Sequence, residues 1–251
     1  MNSTFVLDRG ARERKRYPVP IPSDSTYFDL DLQCTVLATT PSERPDLWRE
    51  FVEGALESYS HFGVEKALEY DRIVDGSSTS LFFAALDDSG RICGGLRAQG
   101  PYSLPDQTHA DLEWVSSPQG RTSLRSMVAA RLPHGVVEMK TVWSSVRGPR
   151  RGSPGYLGAI GASLAAAALG CRFTLATSAD HAMGPYLDSG AVMAADIEPV
   201  PYPDDRYRTR ILWWDQHTIA STTTSAKYRQ ISQAVDALLG RNNISTEAAA
   251  S

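Results

Sequence analysis

A carboxylate inside an apolar strand and a group of arginines beside glycines are the residues of this chain best suited to chemistry. Glu138 lies in VVEMKTVWSS among Val136, Val137, Met139, Val142 and Trp143. Such neighbours desolvate a carboxylate, which raises its proton affinity and suits it to accept a proton. The alternative is a partner across a sheet, Lys140 or Arg97. Just downstream, VRGPRRGSPG sets Arg147, Arg150 and Arg151 beside Gly152 and Gly155, and a helix-like run begins at Tyr156. Strand, glycine-rich loop and helix start, in that order, aim free backbone N–H groups and the positive end of a helix dipole at one point. Glycine lets the backbone approach a ligand closely, and the arginines add cations that pair with phosphate. The chemistry implied is the cradling of a phosphate-bearing ligand.

Other reactive residue types carry less. GASLA, centred on Ser163, has the letters of a nucleophile elbow, but that turn needs a strand before the serine, and here YLGAI continues into an alanine-rich helix. Gly158 and Gly161 fall inside that helix and read as close packing contacts. Asp180-His181 follows a strand and reads as the cap of the next helix rather than a general base. His61, His109, His134 and His217 show no metal-ligand spacing. Cys34, Cys93 and Cys171, odd in number and set in apolar segments, read as small buried hydrophobes rather than a disulfide framework or zinc site. Trp213-Trp214 reads as one core residue and one exposed edge.

The elements that must position these residues follow from periodicity. Residues before about Asp24 combine five cations with alternating prolines and predict a mobile basic arm over 1–24. Leu30, Leu32, Cys34 and Val36 alternate with polar residues, predicting one strand from Tyr27 to Thr39. Leu47, Phe51, Ala55 and Tyr59 recur at helical spacing. LFFAALDDSGRICGGLR predicts two strands around Asp88-Ser89-Gly90, with Leu81, Phe82 and Phe83 as core or as the lining of an apolar channel. Ala110–Val115 suggests a further strand, SLRSMVAARL a helix, and VMAADIEPVPYPDDRYRTRILWWD a closing antiparallel pair. A last helix from about Ser225 to Leu239 precedes a frayed end. These divide the chain into the arm, a domain over 25–218, and a C-terminal helix and disordered tail over 219–251.

Bulk properties are those of an ordinary globular chain: 251 residues, 42% hydrophobic, formal net charge −4. Nothing overall attracts nucleic acid. No apolar run reaches the roughly 20 residues that span a bilayer, and no apolar signal core precedes the N-terminal charges, so a cytoplasmic location is expected.

Strand-helix-hairpin, then strand-loop-helix-strand-helix and a final strand pair, resembles the GCN5-related N-acyltransferase superfamily over roughly residues 27 to 215. ALEYDRIVDG with the hairpin ending GGLR, and VVEMKTVWSS with its glutamate, are similar to the branch holding acyl-homoserine-lactone synthases and long-chain N-acyl amino acid synthases. RRGSPGYLG is a stretched variant of the superfamily's phosphate loop, and PYLDSGAV is similar to its Tyr-x-x-x-Gly-Phe element with Ala191 for the aromatic residue. Thr141 stands where the branch commonly has arginine, which favours plain N-acylation over a lactone product. The resemblance implies a mixed, mostly antiparallel α/β fold with a central sheet flanked by helices. It implies transfer of an acyl group, with a long chain favoured by the branch, from a CoA or carrier-protein thioester to a primary amine such as an amino acid. Glu138 would be the base, Tyr186 the acid for the leaving thiolate, and Val142, Trp143, Ser144 and Ser145 the strand contacting the donor's pantetheine, with backbone N–H groups near Trp143 facing the oxyanion. Arg147, Arg150, Arg151, Gly152, Gly155 and Tyr156 would hold its phosphates. No tightly bound cofactor or metal is implied; acyl-CoA or acyl-carrier protein is a co-substrate, and the partners are a small-molecule amine and, as candidates, a carrier protein and a second copy of the chain. The other reading is a ligand-binding or regulatory protein that keeps the fold without turnover.

Overall fold

The computed structural model describes residues 17–22, 25–30, 32–146 and 154–241. Its strands are β1 (Thr26–Asp29), β2 (Cys34–Thr39), β3 (Leu81–Leu86), β4 (Ile92–Gln99), β5 (Val136–Ser144), β6 (Phe173–Ala179), β7 (Val192–Met193) and β8 (Thr209–Asp215). The helices are α1 (Pro45–His61), α2 (Tyr70–Ile73), α3 (His109–Glu113), α4 (Pro118–Ala129), α5 (Pro154–Ala168), α6 (Gly184–Asp188), α7 (Ile219–Thr222) and α8 (Ser225–Leu238).

All eight strands form one sheet in the order β1-β2-β3-β4-β5-β6-β8-β7. Every pairing is antiparallel except β5 with β6. This mixed, mostly antiparallel architecture is the one the resemblance implies. Helices cover both faces, which is why β3 reads as an unbroken apolar run rather than an alternation. Phe82 and Ala84 pack with Trp48, Phe51 and Trp143 under α1. Phe83 and Ala85 turn to the opposite face, toward Leu157, Ile160 and Leu164 of α5. Phe82 and Phe83 are both fully buried, so they are core.

Four local readings are corrected. The alternation from Tyr27 to Thr39 spans two strands, because Gln33 adopts φ 50° and Asp29 accepts the Leu32 N–H at 2.8 Å, closing a hairpin within the run. Ala110–Val115 is helical, its start fixed by a carboxylate from β5 described below. Trp213 and Trp214 are both buried, 5% and 0% exposed, because helices cover both sides of β8. Asp180 makes no side-chain cap for α6; it pairs with Arg210 and, at 3.4 Å, with Arg208. The hairpin at Asp88-Ser89-Gly90 forms as read, with Gly90 at φ 79°. Gly161 is a packing contact as read: a Cβ there would stand 2.8 Å from Met139 Cε. Ser163 lies inside α5, 8% exposed.

The segment 17–22 lies against α5 through the Val19 N–H to the Ala168 carbonyl, 3.1 Å. Ile231, Ala234, Val235 and Leu238 of α8 join the core of the sheet. Among the described residues, no helix is long and apolar enough to cross a membrane.

Candidate active site

The site begins where β5 and β6 part. They pair in parallel from Val136↔Phe173 to Met139↔Ala176 and no further. Beyond that point β5 stays with β4 and β6 stays with β8, leaving a wedge-shaped opening between central strands. A bulge assists the divergence: from Arg97↔Lys140 to Gly95↔Trp143 the chain advances two residues on β4 and three on β5. Thr141 carries the irregularity at φ 53°, a left-handed conformation that a β-branched residue rarely adopts.

The bulge decides which amides face the opening. In an antiparallel ladder successive residues point their N–H and C=O groups alternately toward and away from the partner. Ser145 donates to the Cys93 carbonyl at 2.8 Å, so Trp143 also faces β4, whereas Val142 and Ser144 face the gap. Of the backbone N–H groups near Trp143 expected to face an oxyanion, those of Val142 and Ser144 are the ones on the gap side. The Trp143 ring turns under α1, 5.8 Å from Phe51, and fits only because position 54 is glycine, where a Cβ would stand 2.2 Å from Cη2.

Glu138 is fully buried. Its Oε2 accepts from the Tyr102 hydroxyl at 2.8 Å and the His109 N–H at 2.7 Å, and its Oε1 from the Ala110 N–H at 2.9 Å. The carboxylate thus satisfies the first amides of α3, where negative charge is favoured. Neither Lys140 nor Arg97 pairs with it. Lys140 instead reaches Glu113, at the end of α3. Arg97, 2% exposed, donates to Thr141 Oγ1 at 3.1 Å and Thr79 Oγ1 at 3.3 Å. Burial lowers its pKa, opposed by Tyr102 and Glu138.

Sequence reasoning missed the group next to the opening. Lys140 and Thr177 are the first residues on each strand past the last β5–β6 pair, and both donate to one oxygen of Glu113, Oε1, at 2.6 and 3.0 Å. His109 Nε2 lies 3.3 Å from the same oxygen and 3.1 Å from the Tyr202 hydroxyl. His109 Nδ1 meets Glu69 Oε2 at 2.5 Å. Burial acts to raise the Glu69 pKa, but hydrogen bonds and charge from His109 and Arg72 outweigh it and hold the carboxyl down at about 2. The only sequence signal was the spacing of His109 and Glu113, one helical turn apart, and it depended on reading that segment as helix.

Tyr186 sits on the other face. Its ring meets Trp214 edge-on at 5.9 Å and lies against Gly158, where a Cβ would stand 2.5 Å from Cε1. Burial pushes its hydroxyl up to about 12. Tyr59, on α1, is raised first by burial and then by Tyr186, with Arg97 opposing and Glu113 adding.

Of the loop proposed to hold phosphate, Arg147, Arg150, Arg151 and Gly152 lie outside the described residues. Gly155 falls in the first turn of α5, which starts at Pro154 rather than Tyr156, proline suiting a position whose N–H has no helical acceptor. Tyr156 is 7% exposed, with Lys227 Nζ 4.3 Å from its ring centroid. No group of metal-ligating side chains occurs among the described residues.

No protein-family model matches the chain. It is 41% identical over 191 residues to the uncharacterized proteins Rv1356c of Mycobacterium tuberculosis (strain ATCC 25618 / H37Rv) and Mb1391c of Mycobacterium bovis, covering 76% of this chain and 72% of each relative. Among solved structures it is similar to FeeM, an N-acyl amino acid synthase from uncultured soil microbes, at 14% identity and TM-score 0.49, covering 77% of this chain and 96% of that one. It is also similar to the AHL synthase LasI, at 14% identity and TM-score 0.48, covering 72% and 89%.

Proposed function

We propose an N-acyltransferase function for this chain, which belongs to one family with those mycobacterial proteins. The observation that carries the reading is the parting of β5 from β6, central strands of the sheet, beyond Met139 and Ala176. An extended amide-bearing arm can add to a strand edge by main-chain hydrogen bonds, here to Val142 and Ser144. Its acyl thioester then lies at the apex, with Tyr186 on the α5 side and the amine arriving from the α3 side. Arg147, Arg150, Arg151 and Gly152, with the start of α5 at Gly155 and Tyr156, hold the donor's phosphates.

In the reaction the amine nitrogen attacks the thioester carbon and its lone pair forms the C–N bond. The carbonyl π pair moves to oxygen, where the Val142 N–H stabilises it. Collapse restores the carbonyl and breaks the C–S bond. Tyr186 gives its proton to the departing sulfur and is reprotonated from solvent, the second N–H proton passes to solvent after attack, and a carboxylate has already taken the ammonium's first proton to free the nitrogen lone pair. Glu138, named for that task by the resemblance, has its oxygens engaged at the start of α3 and acts by holding that helix in place.

Calorimetric titration with a long-chain acyl-CoA, acetyl-CoA and the matching acyl-carrier protein, followed by thiol release with a free-amino-acid mixture, tests the reading. Long-chain donor binding lost on Arg150→Ala/Arg151→Ala, with amine-dependent thiol release, is expected. Binding without release from any amine would make the chain a ligand-binding protein. No binding of any donor would remove the acyl-transfer reading.

A further inference from the structure

We infer that Glu113 is the catalytic residue that receives the acceptor amine, its Oε2 taking a proton from the incoming ammonium so that the nitrogen lone pair can attack; this rests on the acyltransferase reading above. The two oxygens of Glu113 differ sharply. Oε1 collects Lys140 Nζ and Thr177 Oγ1, with His109 Nε2 at 3.3 Å. Oε2 is buried and has no hydrogen-bond partner among the described residues, and the side chain as a whole is 0% exposed. A buried carboxylate oxygen without a donor is costly and needs an explanation in a ligand or a water.

Its position supplies one. Lys140 and Thr177 flank the last β5–β6 pair, and because both bind Oε1 the carboxylate bridges the apex of the opening. A thioester carbonyl entering the gap from the α5 side therefore presents its carbon toward Glu113. The unused lone pairs of Oε2 are then the ones a nitrogen's N–H can reach as it attacks.

The residues behind Glu113 offer the proton a way out. Before attack a proton moves from the ammonium nitrogen to Oε2, which frees the lone pair; the further proton that nitrogen sheds once the C–N bond has formed passes to solvent. His109 Nε2 accepts the first proton from the carboxyl while Nδ1 releases its own to Glu69. That carboxylate is 21% exposed and returns the proton to solvent. The transfer from Nδ1 crosses the 2.5 Å contact to Glu69, and the transfer to Nε2, 3.3 Å from Oε1, requires the carboxyl group to turn and bring its protonated oxygen to the ring.

The test separates base chemistry from packing by changing the nucleophile. Hydroxylamine is largely unprotonated at neutral pH and needs no base, whereas amino acids arrive as ammonium ions. With decanoyl-CoA as donor, Glu113→Gln/Lys140→Met, which removes both buried charges together, is assayed with hydroxylamine and with a free-amino-acid mixture. A loss of about 10²-fold or more with amino acids, beside a loss under about threefold with hydroxylamine and unchanged donor binding, is expected. Equal losses with the two nucleophiles, or no loss with amino acids, overturn the inference while leaving the acyltransferase reading intact. If the native chain releases no thiol with either nucleophile, that reading fails and the inference falls with it. Should the double variant melt below assay temperature, Glu113→Asp, which keeps the charge against Lys140 but withdraws it by one methylene, gives the same comparison with the same outcomes.

Discussion

Lys140 Nζ and Glu113 Oε1 stand 2.6 Å apart where β5 leaves β6, their side chains 9% and 0% exposed. Removing one member of such a pair strands a charge away from water, which costs about 3–5 kcal/mol, whereas removing both is often close to neutral. Lys140→Met is therefore expected to lower stability by roughly that amount, and Glu113→Gln/Lys140→Met to recover most of it. Denaturant melts of the two single variants and the double variant check this. Additive losses would mean that the pair contributes no coupling.

The acid limb of stability has a definite origin in Glu69. Its folded pKa, about 2, lies below the ordinary glutamate value of 4.5. A lowered carboxyl pKa adds stability above the unfolded value, and that stability is lost as pH falls through the folded one. The contribution is thus complete above roughly pH 4.5 and disappears toward pH 2. With the side chain 21% exposed, solvent screening reduces it to about 1–2 kcal/mol. Glu69→Gln is expected to flatten the decline across that window. An unchanged pH profile in the variant would show that His109 and Arg72 exert no net hold on this carboxyl.

The general shape of the molecule was legible in sequence because it rests on local signals. Asp88-Ser89-Gly90 turns a hairpin by its own chemistry, and α1 and α8 each carry a single apolar stripe. The errors arose where distant residues overrode local preference. Ala110–Val115 has no helical signature of its own; it coils because Glu138, 28 residues later in sequence, accepts the first amides of α3. That misreading concealed the site, since only a helix puts His109 and Glu113 on one face. Glu138 was singled out for its apolar neighbours, but its engagement by Tyr102 and two amides is a matter of register and loop path. Which of four consecutive residues on β5 face the opening was equally hidden, because it follows from one extra residue at Thr141.

Glu138→Gln distinguishes holding a helix from moving a proton. The amide retains a single acceptor oxygen for the Tyr102 hydroxyl and two backbone amides, so at least one buried donor is left wanting, at about 1–3 kcal/mol. Lower stability, unchanged donor binding and an unchanged ratio of hydroxylamine to amino-acid rates are expected. A variant that melts like the native chain yet loses about 10²-fold or more of its amino-acid rate would return the base role to Glu138.

Gly158 and Tyr186 act as one unit. Alanine at 158 brings a Cβ to 2.5 Å from Tyr186 Cε1, and the ring, braced against Trp214 at 5.9 Å, must move. Alanine favours the helix by about 1 kcal/mol, but overpacking costs about 1–3 kcal/mol, so stability falls by up to about 2 kcal/mol. Under the proposed role of Tyr186 turnover responds more strongly, because displacing the hydroxyl would remove the proton donor to sulfur, as Tyr186→Phe does outright. Each single variant is expected to lose about 10²-fold, and Gly158→Ala/Tyr186→Phe no more than either alone. With the hydroxyl raised to about 12, Tyr186 stays protonated throughout the usual assay range and contributes no alkaline limb below pH 10. A multiplicative loss in the double variant would uncouple the two residues. An alkaline limb near pH 9 in the native profile that vanishes in Tyr186→Phe would contradict the raised hydroxyl.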